Sequence, residues 1–343
     1  MKQPGFLMVF SALLTGCMAI SQVDGRDPGT LSLWRDDAPA KTALLDYVAS
    51  VTRQDSPDFI PPSERIAVFD FDGTLFCETA PTYLDWMLFE HRVLNDPSCH
   101  APEELKEAAR KARATGNWPG LSLERERLMA QAWNGLTPDA LAAYVRTFIN
   151  GPQPGFSGMR RGEAFYRPMV EVVRLLEANG FTVYVCSGSD RTALRPIVED
   201  GLALPPRQII GSDTVLVARE QGNRDGLDFM YGKKDELVLG GKLQVKNLQM
   251  NKVSAIEREI GIRPVLAFGN SASDASMINY TLQNKRHKTL GFMLLCDDTT
   301  REYGNAAKAE KMRTMSAENG WIPVSMRDDW TTIYGPGVMR KAN

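Results

Sequence analysis

The sequence predicts an α/β fold, in which a doubly wound parallel sheet has helices on both faces and a helical segment inserted into it. Two observations lead to this class. Apolar segments of strand length alternate with segments of helical periodicity over most of the 343 residues, a pattern typical of parallel strands joined by helices. Residues 66–69 are also apolar without interruption, as expected of a strand that is buried on both faces.

The first residues have the layout of a secretory signal. A lysine precedes an apolar stretch over 6–14, which is followed by small residues and is too short to span a membrane. We therefore predict a signal peptide over 1–16. The end of this segment and the next residue, LTGC, resemble the lipobox of bacterial lipoproteins, which implies a lipid on Cys17 and a periplasm-facing protein. In that family Met18, in place of aspartate, points to the outer membrane. A simple secretory signal is the alternative.

The residues before the sheet divide into a tether, a helix and a first strand. Residues 17–40 contain Gly, Pro and Asp without sustained periodicity, which predicts a tether. A helix is predicted from Lys41, and it leads to the strand at 66–69.

A long helical insert follows that strand. Residues 78–159 contain no convincing strand, and their helical patterns cover 102–115, 122–136 and 137–150. Ser122 and Thr137 are suitable N-terminal residues for the second and third helices. We therefore predict an insert over 78–159 between core segments 41–77 and 160–343.

The alternation of helices and strands resumes in the second core segment. A helix over 163–180 is predicted to end at Gly180, because glycine favours the conformation that terminates a helix. A hairpin turn is predicted at Gly240-Gly241. The other predicted elements are strands at 181–189, 207–212, 214–220, 236–245, 263–271, 289–298 and 321–326, and helices at 191–200, 251–261, from 274 and at 305–319.

Polar residues cluster where several of these strands end. Asp70 and Asp72 follow the first strand, Ser187-Gly188-Ser189 the second, and Asn270-Ser271 a later one, with Asp274 close behind. The carboxyl ends of the strands of a doubly wound sheet form a ligand-binding crevice. Residues i and i+2 of an extended chain point to the same side, so the two aspartates repel each other unless a cation or a shared proton intervenes.

These clusters resemble the motifs of the haloacid dehalogenase (HAD) superfamily, nearest its phosphoserine-phosphatase-like phosphohydrolases and a secreted bacterial branch of them. "DFDGT" is similar to the first motif, Ser187 in "VCSGS" to the second, Lys252 in "MNKVSAI" to the third and "FGNSASD" to the fourth. The resemblance covers residues 66–329. It implies a Rossmann-like HAD core, and the insert at 78–159 takes the place of the family's cap, which covers the site and selects substrates.

The resemblance implies a role for each motif. Asp70 would attack phosphorus and form an aspartyl-phosphate, and Asp72 would act as general acid and then general base. Ser187, Gly188 and Lys252 would hold the phosphoryl group. Mg²⁺ would be held by the carboxylate of Asp70, the backbone carbonyl of Asp72 and a side chain of the fourth motif.

The fourth motif departs from the family's pattern. Asn270 stands where related phosphatases commonly have aspartate, so its amide oxygen would serve as the metal ligand. Asp274 is then either a direct ligand or a partner of the ligands. Weaker Mg²⁺ binding, or an altered metal preference, is the resulting hypothesis, and Asn270→Asp tests it.

Purely structural interpretations stand beside these roles. Asp72-Gly73 could form an ordinary turn, Ser187 could begin a helix, and Lys242 and Lys246 compete with Lys252 for the lysine of the third motif. Candidate substrate contacts in and near the cap, each of which could also be an ordinary solvated residue, are Glu78, His91, Arg125, Arg160 and Arg161.

The function predicted from the sequence is that of a Mg²⁺-dependent phosphomonoesterase for a small phosphorylated molecule. Phosphoserine is the nearest substrate by resemblance, while phosphocholine, phosphoethanolamine and a broad acid phosphatase activity remain open. A phosphotransferase and a non-catalytic binding lipoprotein are the alternatives. The formal charge of −2 gives no reason to expect nucleic acid. The sequence leaves the oligomeric state open, and also whether Cys77 and Cys99 form a disulfide.

Overall fold

The protein is described by a computed structural model over residues 30–78, 82–115 and 123–342. The predicted signal peptide, Cys17 and most of the tether lie outside these residues, as does Ser122. Among the described residues, none of the helices has the length and apolar character needed to cross a membrane.

The core is a sheet of seven strands in the order β5-β4-β3-β1-β6-β7-β8. Neighbouring strands are parallel except β4 and β5, which are antiparallel. The predicted doubly wound α/β class is therefore confirmed. The strands are β1 (Ile66–Phe69), β2 (Phe156–Ser157), β3 (Thr182–Asp190), β4 (Ile209–Ala218), β5 (Leu237–Val245), β6 (Leu266–Gly269), β7 (Leu290–Leu295), β8 (Ile322–Ser325) and β9 (Met339–Arg340). The short strands β2 and β9 form a separate antiparallel pair.

The helices follow the predicted order with one addition. They are α1 (Pro39–Thr52), α2 (Leu84–Leu94), α3 (Glu103–Thr115), α4 (Leu123–Gln131), α5 (Pro138–Ile149), α6 (Arg167–Ala178), α7 (Arg191–Leu202), α8 (Met250–Glu259), α9 (Ala275–Leu282) and α10 (Ala306–Asn319). Helix α2 was not predicted. Its residues 86–89 are apolar and all buried, so the helical alternation of polar and apolar residues is absent there.

The centre of the sheet is fixed by aromatic packing directly below the strand ends. Phe69, Phe268 and Phe292 lie on the adjacent strands β1, β6 and β7, and their rings stack with centroids 4.3 and 4.7 Å apart. All three are at most 1 % exposed. This packing gives the loop after β1 a rigid base.

The prediction of a hairpin turn at Gly240-Gly241 is wrong. Both glycines lie inside β5, and the two strands predicted at 207–212 and 214–220 form the single strand β4, its antiparallel partner. The pairing register shifts between Thr214 and Leu216, and Gly241 has a φ of +66°. The glycines thus form a β-bulge, which needs the same backbone freedom as a turn.

The cysteines of the described residues are unbridged. Cys77, Cys99, Cys186 and Cys296 all have free thiols, so the structure contains no Cys77–Cys99 disulfide. Cys77 is buried, and its Sγ lies 3.8 Å from Nε2 of Gln153. Its surroundings are those of a small core residue.

Candidate active site

A cavity of about 310 Å³ lies at the carboxyl ends of β1, β3 and β6, between the core and residues of the predicted cap, residues 78–159. The predicted site residues Asp70, Asp72, Gly188 and Asn270 reach it. It is lined by Asp70, Asp72, Glu78, Tyr83, Asp85, Trp86, Arg125, Glu126, Gly188, Ser189, Lys246, Leu248, Asn270, Ser271 and Ser273. The predicted convergence of strand ends is thus present in the structure.

Lys252 lies fully buried beneath the floor of this cavity. Its Nζ is 2.6 Å from Oδ1 of Asp70 and 2.7 Å from Oδ1 of Asp274. Burial alone would lower the pKa of Lys252, but the two carboxylates outweigh it and hold the pKa above its ordinary value. A cation in the first turn of α8 opposes the helix dipole, and the carboxylates offset this cost.

Asp274 is surrounded by donors. Its Oδ2 accepts hydrogen bonds from the backbone N–H groups of Asn270 and Ser271 at 3.1 and 3.0 Å, and from Oγ of Ser271 at 3.0 Å. Its Oδ1 accepts from Lys252. Of the two roles that the sequence left open, this geometry favours a partner that holds the fourth motif and Lys252 over a direct metal ligand.

The two aspartates of the first motif have strongly perturbed acidities. Burial raises the pKa of Asp70 to about 7, with Asp274 adding to the effect and Lys252 opposing it. Burial also raises the pKa of Asp72 well above its usual range, and the nearby carboxylate of Asp85 adds to this. Oδ2 of Asp72 accepts a hydrogen bond from Oγ of Ser189 at 2.7 Å, whereas its buried Oδ1 accepts none from the described residues.

The second motif differs from the prediction. Ser187 is fully buried and does not line the cavity, and its Oγ accepts from the N–H of Ser189 at 3.1 Å. Two of the amides at the start of α7 already have a hydrogen-bond partner within the chain. Oδ1 of Asp190 accepts from the N–H groups of Thr192 and Ala193 at 2.9 and 3.0 Å. Asp190 therefore caps the start of α7.

The reason lies in where β3 ends. The strand continues to Asp190, and an aspartate directly before a helix is a favoured N-terminal partner for its free N–H groups. That signal was present in the sequence. The residue that contacts the first motif is consequently Ser189, which sequence reasoning grouped with Ser187 without giving it a role.

A second ionic cluster surrounds Glu78, the only one of its members that the sequence had suggested as a site residue. Oε1 and Oε2 of Glu78 lie 2.8 and 2.7 Å from Nζ of Lys308, and Oε2 also accepts from Nδ2 of Asn270 at 3.2 Å. The hydroxyl of Tyr83 donates to Oε1 at 2.9 Å. Lys308 gave no sequence signal, because it lies in an ordinary polar helix far along the chain.

The cap side of the cavity carries balanced charges. Arg125 lies over the ring of Trp86, 4.7 Å from its centroid, and Glu126 pairs with Lys246 at 2.8 Å. Burial raises the pKa of Asp85 to about 6, although Lys246 opposes the shift.

Of the remaining candidate contacts, three lie outside the lining of this cavity. His91 contacts Tyr144, Arg160 pairs with Glu163, and Arg161 lies over Phe148.

The floor of the cavity fits a hard divalent cation. No group of three or more His, Cys, Asp or Glu side chains in the described ranges is arranged to hold a metal. The available donors are instead the carboxylate of Asp70, the backbone carbonyl of Asp72 and the amide oxygen of Asn270, and the buried Oδ1 of Asp72 beside them has no hydrogen-bond partner among the described residues. Carboxylate, carbonyl and amide oxygens are suitable ligands for Mg²⁺, which keeps several waters.

Comparison with known proteins agrees with this geometry. A family model for haloacid dehalogenase-like hydrolases matches residues 67–279, well over half of the chain. The chain belongs to this HAD-like hydrolase family. No curated protein matches the sequence.

The chain is also similar to solved structures, at low sequence identity. A conserved functionally unknown protein from Anaerococcus prevotii DSM 20548 is 13 % identical, with 83 % of this chain and 91 % of that chain covered and a TM-score of 0.52. A protein with unknown function from Bordetella pertussis Tohama I is 16 % identical, with 76 % and 98 % covered and a TM-score of 0.50. A phosphoserine phosphohydrolase-like protein from Francisella tularensis subsp. tularensis SCHU S4 is 17 % identical, with 67 % and 87 % covered and a TM-score of 0.38.

Proposed function

We propose that the protein is a Mg²⁺-dependent phosphomonoesterase that acts on a small phosphorylated metabolite through an aspartyl-phosphate. The observation that carries the proposal is the pair Asp70 and Asp72 at the floor of the cavity, with Lys252 beside the first and an unpaired oxygen on the second. Phosphoryl transfer requires mainly positioning and charge neutralisation, and this arrangement supplies both.

The two aspartates divide the chemistry between them. Asp70 is the nucleophile, because its contact with Lys252 favours the ionised form that attacks phosphorus. Asp72 gives its proton to the departing alcohol and later takes one from the water that cleaves the aspartyl-phosphate. Its raised pKa suits a proton donor at neutral pH. The hydroxyl of Ser189 holds Asp72 through its Oδ2.

The cation would be held by Asp70, the backbone carbonyl of Asp72 and the amide oxygen of Asn270. When bound, Mg²⁺ neutralises charge on the phosphoryl oxygens and between the two carboxylates. Lys252 keeps Asp70 in place, and Asp274 holds Lys252 together with the backbone after β6.

The cavity limits the size of the substrate. Its volume of about 310 Å³ lies at the small end of the range for ligand sites. The carboxylates and cations on the cap side offer contacts to a polar leaving group. Phosphoserine, the nearest substrate by family resemblance, has matching charges, and phosphoethanolamine and phosphocholine are the next to test.

The proposal is tested by phosphate release from p-nitrophenyl phosphate, with and without Mg²⁺, for the wild type and Asp70→Asn. We expect metal-dependent release that Asp70→Asn abolishes. Release that survives Asp70→Asn would contradict the aspartyl-phosphate. Adding glycerol distinguishes hydrolysis from phosphotransfer, because a transferase consumes alcohol faster than it releases phosphate. A folded wild type that releases no phosphate from any of a panel of natural phosphoesters would favour a binding lipoprotein.

We also propose that the chain is anchored in the outer membrane through a lipid on Cys17 and faces the periplasm. The support is the sequence around the predicted cleavage site. Cys17→Ser should move the protein from the membrane fraction to the soluble fraction. Membrane association that survives this change would contradict the anchor.

A further inference from the structure

A second lysine contacts the edge of the cavity from a part of the chain that the family match does not include. Lys308 belongs to the first turn of α10, beyond the matched residues 67–279. A cation in a first turn opposes the helix dipole, as with Lys252. Here the compensating anion is Glu78, which is 6 % exposed and has both oxygens within 2.8 Å of Nζ of Lys308. The pair therefore fixes the position of the Glu78 carboxylate.

Glu78 in turn determines the orientation of Asn270. Its Oε2 accepts a hydrogen bond from Nδ2 of Asn270 at 3.2 Å. An ionised carboxylate only accepts hydrogen bonds, so the NH₂ side of the amide must face it. The amide oxygen of Asn270 accepts no hydrogen bond from the described residues, and the side chain lines the cavity beside Asp70 and Asp72.

We propose that Glu78, held by Lys308, is a positioning residue that turns the amide oxygen of Asn270 toward the Asp70–Asp72 floor. An aspartate has two equivalent oxygens, whereas an asparagine turned the wrong way presents an NH₂ group that repels a cation. Glu78 and Lys308 thus compensate for a neutral residue in the fourth motif. The inference rests on the proposed Mg²⁺ site and adds to it the residues that make the amide a usable ligand.

The same contact changes what Asn270→Asp is expected to do. A carboxylate at this position would place an oxygen against Oε2 of Glu78, where the amide now donates. The repulsion would offset the added attraction for a cation, so Asn270→Asp alone should not tighten Mg²⁺ binding. Adding Glu78→Gln reverses the donor and the acceptor and restores the hydrogen bond. The double variant should therefore bind Mg²⁺ more tightly than Asn270→Asp alone.

The experiment is a Mg²⁺ titration of the full chain, followed by the rise in melting temperature, which needs no turnover. Glu78→Met removes the acceptor, and Lys308→Met removes the group that holds it. Each should raise the Mg²⁺ concentration for half-maximal stabilisation about tenfold, the lower limit usual for partners of metal ligands. Lys311→Met is the matched control on the exposed side of α10 and should behave as the wild type.

Three results would decide against the positioning role. They are wild-type Mg²⁺ binding by both Glu78→Met and Lys308→Met, tighter binding by Asn270→Asp alone, and a double variant no better than Asn270→Asp. A folded wild type that Mg²⁺ does not stabilise at all would overturn the metal site itself, and with it this inference. The last result is distinguished from the others because it appears before any substitution is made.

Discussion

At the scale of single residues, the loop after β1 depends on a glycine. Gly73 has a φ of +81°, and a Cβ added there would lie 1.8 Å from Nδ2 of Asn270 and 2.9 Å from Oε2 of Glu78. Only glycine lets the first and fourth motifs approach this closely. The "DFDGT" turn is therefore a packing requirement as well as a backbone one.

We expect Gly73→Ala to destabilise the fold by more than about 2 kcal/mol, because it adds a steric clash to backbone strain. Urea unfolding measures the loss. Gly222→Ala is the matched control, since Gly222 has a φ of +62° and nothing within 4 Å of an added Cβ. An equal loss in both variants would mean that backbone strain alone accounts for the effect.

A buried carboxyl outside the cavity makes stability depend on pH. Glu302 is 2 % exposed. Burial raises its pKa from 4.5 to about 7, with Asp298 and Glu78 adding to the shift and the hydroxyl of Tyr334 and the N–H of Tyr303 opposing it. Between these two values the folded state keeps a proton that the unfolded state has released. Stability must therefore fall as the pH rises through that window.

We expect Glu302→Gln to remove this fall in the free energy of unfolding, which is on the order of 3 kcal/mol for the full shift in the pKa of Glu302. The free energy of unfolding at pH 5 and pH 8 measures it, with the wild type as reference. The free energy of unfolding of the variant should increase relative to that of the wild type as the pH rises. The same loss between the two pH values in both proteins would contradict the assignment to Glu302.

At the scale of secondary-structure elements, the cap and the core meet through an ion pair. Glu126 of α4 and Lys246, which follows β5, are 2.8 Å apart, and their side chains are 7 % and 12 % exposed. Both line the cavity. A largely buried pair that loses one partner leaves an uncompensated charge. This contact therefore contributes to stability and holds α4 against the core at the cavity.

We expect Glu126→Gln to destabilise the protein by about 3 kcal/mol and to raise KM, because α4, which lines the cavity, is held less firmly against the core. Chemical unfolding and steady-state kinetics measure the two effects. Glu236→Gln breaks the exposed pair with Arg219, whose side chains are 45 % and 58 % exposed, and should cost less than about 0.5 kcal/mol. Equal effects of the two variants would argue against a special role of the Glu126–Lys246 pair at the cavity.

At the scale of the whole molecule, the fold is held without cross-links in its described part. The cysteines there are free, and the core is built on apolar packing across both faces of the sheet. A disulfide would stabilise by restricting the unfolded chain, and that contribution is lost on reduction. A reducing agent should therefore have no effect on the folding equilibrium.

We expect the melting temperature to change by less than about 1 °C when a reductant is added, since a lost disulfide would lower it by several degrees. Differential scanning calorimetry with and without the reductant measures the difference. The Cys77→Ala variant serves as control, because it cannot form the bridge that the sequence left open. A drop of several degrees in the wild type alone would show that Cys77 is bridged.

The sequence predicted the elements whose signals are local. Such signals depend on residues within a few positions of each other, as in buried strands, amphipathic helices and helix N-caps. Thr137, directly before α5, is an example, because its side chain accepts a hydrogen bond from the N–H of Ala140 at 3.1 Å. The sequence missed α2, because a helix buried on most sides has no polar face. The sequence pattern predicted a turn at Gly240-Gly241, because β-bulges and turns both favour glycine.

The sequence by itself determined the α/β class, the order of the core elements and the convergence of Asp70, Asp72 and Asn270. Each of these follows from periodicity along the chain and from the rule that strand ends share one edge. Only the tertiary structure decided that Ser189 contacts Asp72, and that Lys308 holds Glu78 from 230 residues away. Such contacts depend on how distant segments pack, and no pattern within either segment encodes its partner.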